Sequence, residues 1–252
     1  MIRLGTRRSP LATAQARIVA GLLGGAELVP ISTEGDRDGA RRFAEIGSGR
    51  GVFTRDIERV LLRGDVDAAV HSAKDLTGDM PEGLALGAIL ERGDPRDAVC
   101  GPFGSLAEIP AGARVGTSSA RRAGLLAELR PDLQVVPLRG NVETRLAKLD
   151  AGEADAVVLA AAGLERLGLA DRIAFLLDPR EFVPEAGQGA IAVQVRAGEE
   201  SLVAALDHGP TRAAVDAERD CVRALGGGCT AAVAAHAWHE DGELVLRQWT
   251  AA

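Results

Sequence analysis

An α/β fold with a small α+β unit at its C-terminus is the class that this 252-residue sequence predicts, on three observations. Short apolar runs that read as buried strands alternate with segments of helical period, the pattern of a largely parallel sheet. The periodicity breaks twice, near Glu91-Arg92-Gly93-Asp94-Pro95 and near Phe182-Val183-Pro184-Glu185-Ala186-Gly187, where Gly, Pro and charge replace it. After Pro210 the pattern changes to one helix, a glycine run and two alternating segments.

Taken in order, the apolar run Ile2 to Gly5 predicts a first strand, and Leu11 to Leu23 carries apolar residues at helical spacing. Leu28 to Ser32 reads as a strand, Val52 to Arg63 as a helix, and Ala68 to His71 and Leu84 to Leu90 as two further strands. Beyond the first break, Arg114 to Gly116, Gln134 to Leu138 and Ala156 to Ala160 read as strands, with helices at Ser119 to Leu129 and Val142 to Leu149 between them. Ala190 to Val195 is a strand after the second break, and Leu202 to Leu206 a short helix. The tail reads as a helix over Arg212 to Leu225, then Gly226-Gly227-Gly228-Cys229, then strands at Val233 to Trp238 and Glu243 to Trp249. At about 40 residues this tail is below ordinary domain size and must lean on the rest of the chain. Two breaks that bracket one α/β unit imply paired crossovers.

Composition excludes several function classes. A net charge of −7 and 3% aromatic residues with no Tyr argue against a nucleic-acid surface. No apolar run approaches the roughly 18 residues needed to span a bilayer. Thr6-Arg7-Arg8-Ser9-Pro10 lacks the apolar stretch that an export signal requires after paired arginines. Cys100, Cys221 and Cys229 are odd in number and fit a reducing cytoplasm better than a disulfide framework. Neither they nor His236-x-x-His239 has metal-ligand spacing, so no metal is expected.

Ligands of open α/β sheets collect at the carboxyl ends of strands, and five places there are informative. Arg7 and Ser9 follow the first strand; Ser72, Lys74 and Asp75 follow the third. Thr117-Ser118-Ser119-Ala120-Arg121-Arg122 runs from a strand into a helix, and Arg139-Gly140-Asn141 with Arg145 repeats that arrangement. Gly187-Gln188-Gly189 stands at the second crossing. All but two of the 29 basic residues are arginines, a compositional bias in itself. Their joint placement at these ends nevertheless argues for a small, multiply charged anion such as a carboxylate or phosphate. Asp75 among these cations is either a structural ion-pair partner or an ionised carboxylate that stabilises a cation or moves protons. His71 reads as a buried, hydrogen-bonded histidine, and Cys229 after three glycines as the best site for a covalent attachment.

Together these motifs resemble the hydroxymethylbilane synthase (porphobilinogen deaminase) family. The matching stretches are Arg3 to Ala12, Ala69 to Asp75, Glu91 to Ala98, Val115 to Arg122, Leu138 to Leu146, Asp155 to Leu169, Gly187 to Ala190 and Gly226 to Cys229, in family order. The resemblance implies two lobes like type II periplasmic binding proteins joined by two crossovers, plus a small third domain. With the breaks above, that places domain 1 at 1–91 and 190–208, domain 2 at 95–184 and a shortened domain 3 at 211–252. It also implies a dipyrromethane cofactor in thioether linkage to Cys229. On this primer a cytoplasmic monomer condenses four porphobilinogen molecules head to tail, releasing four ammonia and then 1-hydroxymethylbilane.

Asp75 matches the family's catalytic aspartate, which stabilises the cationic azafulvene left when ammonia departs. Arg7, Arg121, Arg122, Arg139, Arg145 and Arg172 would hold the acetates and propionates of the pyrroles. Ser9, Asp36, Ser72, Lys74, Thr117, Ser118, Ser119, Gln188 and Gly189 would line cofactor and substrate. The Gly47 to Phe53 loop, with Arg50 and Phe53, resembles a lid. Glu34 stands where the family usually has arginine, and the chain stops soon after Trp249 where relatives continue. The alternatives are a non-catalytic small-anion binding protein on the same lobes, or a relative without cofactor because of its short third domain.

Overall fold

The computed structural model of the chain describes residues 1–33, 54–76, 80–226 and 232–251. Glu34, Asp36, Arg50, Phe53 and Cys229 lie outside the described residues.

The first part of the chain runs β1 (Arg3–Arg7), α1 (Pro10–Leu22), β2 (Glu27–Ile31), α2 (Arg55–Leu62), β3 (Ala68–Ser72) and β4 (Leu84–Ile89). Next come β5 (Asp97–Cys100), β6 (Arg114–Gly116), α3 (Ala120–Leu129), β7 (Gln134–Val136), α4 (Val142–Asp150), β8 (Ala156–Ala160), α5 (Ala161–Arg166) and β9 (Phe175–Leu176). The chain ends with β10 (Ile191–Arg196), α6 (Gly209–Ala224), β11 (Val233–Glu240) and β12 (Glu243–Thr250).

These strands form two five-stranded sheets of the same plan, ordered β2-β1-β3-β10-β4 and β7-β6-β8-β5-β9. In the first, β1 runs parallel to β2 and β3, while β10 returns from the far side of the second sheet to lie antiparallel between β3 and β4. In the second, β6 is parallel to β7 and β8, and β5 enters antiparallel. The chain thus crosses between sheets twice, where the sequence breaks.

Local sequence explains the helix starts that face the site. The Ser9 side chain accepts a hydrogen bond from Ala12 N at 3.3 Å with Pro10 at the first turn, and Ser119 and Asn141 cap α3 and α4 in the same way. The amino ends of the sheets share an anchor: Arg3 pairs with Asp67 at 2.7 Å and Arg114 with Asp155 at 2.8 Å. One core gathers Leu4, Val19, Val70 and Val193, and another gathers Val115, Leu125, Leu126, Val158 and Phe182.

Several local features differ from the sequence-based expectations. β5 was hidden in the charged break, because its four buried residues begin with Asp97, whose charge two buried arginines neutralise. α5 follows β8 without a loop, so its apolar residues merge with the strand's run. Leu202 to Leu206 spans two 3-10 turns, Glu200–Leu202 and Ala204–Leu206, separated by Val203 at φ −129°.

The tail packs as α6 against an antiparallel hairpin whose Asp241-Gly242 turn has positive φ at both residues. Trp249 of β12 reaches the second sheet's core and donates from its indole nitrogen to Glu128 Oε2 at 2.7 Å. Its ring fills the space beside Gly124 of α3, where an added Cβ would lie 2.4 Å from Cη2. Gly124→Ala is therefore expected to cost about 1–3 kcal/mol by overpacking. It should lower the thermal midpoint by several degrees, and Trp249→Leu in the same chain should restore part of the loss.

Candidate active site

The site is built where β3 ends. Ser72 closes the strand, and its hydroxyl exchanges hydrogen bonds with the Gln15 amide of α1 at 2.9 and 3.1 Å. A single 3-10 turn, Ala73–Asp75, then presents Lys74 and Asp75. The crossover loop before β10 lies directly on this turn. Gly187 has φ +76°, and a Cβ there would stand 2.9 Å from Lys74 N and 3.0 Å from Ala73 C, so only glycine fits. Gly189, at φ +85°, approaches Gly93 of the other crossover, whose N–H donates to its carbonyl at 3.1 Å.

One continuous polar network links the sheets here. Lys74 Nζ donates to Gln188 Oε1 at 3.3 Å, and Gln188 Nε2 donates to Pro95 O at 2.7 Å and to Asp97 Oδ1 at 3.1 Å. Asp97 in turn accepts from Arg121 Nη1 at 2.8 Å and Arg122 Nε at 2.9 Å. Burial pushes the Asp97 carboxyl up, but the two guanidiniums outweigh it and hold the group well below the usual carboxylate range.

Arg122 also donates to Val158 O at 3.0 Å, so Asp97 and the backbone occupy most of it. Arg121 spends only Nη1, on Asp97 and Val183 O; its Nε and Nη2 are buried with no hydrogen-bond partner among the described residues. Arg145 donates to Gly140 O at 2.8 Å, and burial, reinforced by Arg122, pulls its guanidinium down to about 10. Burial likewise lowers Lys74, with Arg122 adding to the effect.

Asp75 is half-buried. Burial raises its pKa above the ordinary value of 3.8, against the lowering influence of Lys74 and Arg7 and with that of Glu185. Adjacent cations therefore do not dominate this carboxyl, as its sequence neighbourhood suggests they would; desolvation does. His71 is buried, with Nε2 3.1 Å from Gln194 Oε1, and burial takes it down to about 4. It is a neutral hydrogen-bonding residue at physiological pH.

The other predicted positions fall as follows. Thr117 is buried and accepts from Ser119 N at 3.2 Å; Ser118 is exposed; Ser9 and Ser119 serve as helix caps whose hydroxyl hydrogens can still donate. Arg139 is exposed beside Gly140. Arg172 lies on a 3-10 turn and pairs with Asp150 at 2.6 Å. Arg166 reaches the crossover loop, donating to Gly189 O at 2.5 Å, and burial lowers its pKa. Sequence reasoning passed over it because the apolar run of β8 continues into α5 without a break, so no helix end was marked there. The usable signal was its place at the close of a helix that springs straight from β8.

The arrangement offers several partly desolvated cations, Lys74, Arg145 and Arg166, and one carboxyl of raised pKa, Asp75, on which Lys74 and Arg7 act. Such a site binds a polyanion and stabilises a localised positive charge or moves a proton. Among the described residues, no cluster of His, Cys, Asp and Glu could hold a metal ion, and no helix is long and apolar enough to cross a membrane.

Known proteins resemble the chain closely. The profile described as "Porphobilinogen deaminase, dipyromethane cofactor binding domain" matches residues 2–204. A porphobilinogen deaminase of Xanthomonas oryzae pv. oryzae (strain PXO99A) is 52% identical, covering 96% of this chain and 83% of its own length. The porphobilinogen deaminase of Xanthomonas axonopodis pv. citri (strain 306) is 51% identical over 98% and 84%. That of Sphingopyxis alaskensis is 49% identical over 97% and 82%. Among solved structures, the methionine-binding protein MetQ aligns with TM-score 0.50 at 15% identity, over 95% of this chain and 98% of its own. That likeness concerns fold alone: the two sheets are lobes of the type II periplasmic-binding-protein kind.

Proposed function

This chain belongs to the porphobilinogen deaminase family, and from that premise we propose how its own residues serve the reaction. The activity is that of a hydroxymethylbilane synthase, a transferase of tetrapyrrole biosynthesis that condenses four porphobilinogen molecules on a dipyrromethane cofactor with loss of four ammonia. When bound, the dipyrromethane supplies a pyrrole α-carbon nucleophile to which the first substrate is joined.

The residues present fit such a group. Two buried Arg121 nitrogens lack partners among the described residues, Arg145 and Lys74 are partly desolvated cations, and each would gain from the acetate and propionate carboxylates that every pyrrole carries. Arg7 and Arg166 are further cations, and the free hydrogens of the Ser9 and Ser119 hydroxyls add donors. Asp75 is the acceptor among these donors. It receives pyrrole N–H groups and, ionised, lies where positive charge develops as ammonia leaves the aminomethyl carbon. Gln188 holds the Lys74 ammonium in place while bracing Asp97 and hence the arginine pair.

In this reading Cys229 is the attachment point, Asp36 is a cofactor contact, and the Gly47 to Phe53 loop, with Arg50 and Phe53, keeps the lid role that the resemblance implies. The division at 1–91 with 190–208, 95–184 and 211–252 follows the two crossings, and a cytoplasmic monomer acting on a small molecule completes the proposal. The observation that carries the assignment of residues is the Lys74–Gln188–Asp97–Arg121 chain, which joins both sheets at one site.

Intact mass of the freshly purified, denatured chain, with peptide mapping, tests it. Two linked pyrroles on the peptide containing Cys229 are expected. An unmodified Cys229 that resists reconstitution with porphobilinogen overturns the attachment.

A further inference from the structure

The crossover loop brings a second carboxylate to the reacting centre. Glu185 Oε2 lies 3.7 Å from Lys74 Nζ, and both side chains keep partial access to solvent, at 36% and 26% exposure. This is an ion pair at the wall of the site, not one inside a core. The loop that carries Glu185 is rigidly held: Gln188 N donates to Glu185 O at 2.9 Å, and Gly187 N donates to Glu218 Oε2 at 2.7 Å. The Lys74 ammonium is therefore gripped between two residues of one loop, Glu185 and Gln188.

Among the described residues, the charged groups that act on Asp75 are Lys74, Arg7 and Glu185. With Asp75 itself they comprise two cations and two carboxylates and sum to zero. Remove Glu185 and the same surroundings carry one net positive charge. Porphobilinogen arrives with a protonated aminomethyl group. In the step itself its C–N bond breaks, the electron pair leaves on nitrogen as ammonia, and the methylene carbon becomes electron-deficient. Both states carry positive charge at the place where an unbalanced Lys74 and Arg7 would oppose it.

We propose that Glu185 is a positioning residue for this reaction: through Lys74 it neutralises the cationic side of the Asp75 site and so admits the aminomethyl end of the substrate. Glu185 forms no bond to the substrate. The inference rests on Asp75 as the reacting centre.

The test uses cofactor-loaded enzyme, with ammonia release measured against pH for Glu185→Gln and Glu185→Asp. Glu185→Gln is expected to lower kcat/KM about tenfold, the effect of one unbalanced charge at screened protein distances, and Glu185→Asp to recover most of it. The acid limb should move to lower pH in Glu185→Gln, because a repulsive neighbour of Asp75 is gone while Lys74 and Arg7 remain. A second readout needs no turnover. Lys74 is one of only two lysines, so its Nζ titration can be followed by NMR. It should fall in Glu185→Gln, since Glu185 raises it. Unchanged kcat/KM and an unmoved acid limb in Glu185→Gln, or an Asp variant no better than Gln, overturns the proposal. Ammonia release that survives Asp75→Asn overturns the Asp75 assignment itself, a separate result.

Discussion

Asp75→Asn is expected to reduce ammonia release from porphobilinogen by at least about 10³-fold, the scale on which a preorganised electrostatic group is lost, with no fall in thermal stability. The second half follows from the raised pKa of Asp75. A carboxyl whose folded pKa lies above its unfolded value favours folding at low pH and loses that favour as pH rises from 3.8 through the folded value. At neutral pH the ionised group is a liability to the fold, which the isosteric amide removes. Activity and stability should therefore move apart, as they do where a site keeps an unfavourable charge for its chemistry. Thermal unfolding beside an ammonia assay decides it. Turnover within tenfold of the parent would show that Asp75 does not stabilise the departing charge, and a midpoint lowered by several degrees would show that its role is structural.

The largest loss of stability is expected at Glu218. This residue of α6 is fully buried and accepts from Arg92 Nη1 and Nη2 at 2.7 and 2.6 Å, from Gly187 N at 2.7 Å and from Ala237 N at 2.7 Å, with His236 Nδ1 at 3.1 Å. One carboxylate thus joins the first crossover, the second crossover and the C-terminal hairpin. Burial raises its pKa, but the His236 and Arg92 contacts outweigh that and hold it below 4.5. Its contribution to stability is whole above that pH and is lost as pH falls through the folded value. Glu218→Ala strands Arg92 without its counter-charge and should cost about 3–5 kcal/mol, read as a lower urea midpoint. Because Gly187 lies on Lys74, activity of the surviving folded fraction should fall too. A change under 1 kcal/mol would mean that water replaces the carboxylate, and that the three segments are joined by apolar packing alone.

Much of the architecture was legible because it rests on period and punctuation. β6 and β8 fall on the residues their apolar runs mark, and the glycines and prolines at residues 91–95 and 182–187 do mark the crossings. What escaped was decided by partners far away in sequence. Asp97 reads as loop charge until Arg121 and Arg122 are placed against it, and without them β5 has no reason to be buried. The same pairing reshapes the site: two arginines that look alike on paper differ once Asp97 and Val158 O engage Arg122, while two Arg121 nitrogens have no partner among the described residues. Arg172 and Arg166 stand on neighbouring turns, and only the path of the chain after β8 turns one toward Asp150 and the other toward Gly189. Asp75 among cations and Cys229 after three glycines stood out by their neighbours rather than by any periodicity, and the resemblance then gave each its role.

The antiparallel return of β10 has a consequence for the order in which the protein can form. The second sheet draws its strands from 97 to 176 and is complete once that stretch has been synthesised. The first sheet is not: β3 and β4 meet only through β10, with Val193 set opposite Val70 and Ala88. Until residue 196 leaves the ribosome, β4 has no neighbour and the earlier strands expose an open edge. The lobe that begins the chain is therefore the later of the two to have all its strands available, and non-local pairing of this kind slows folding.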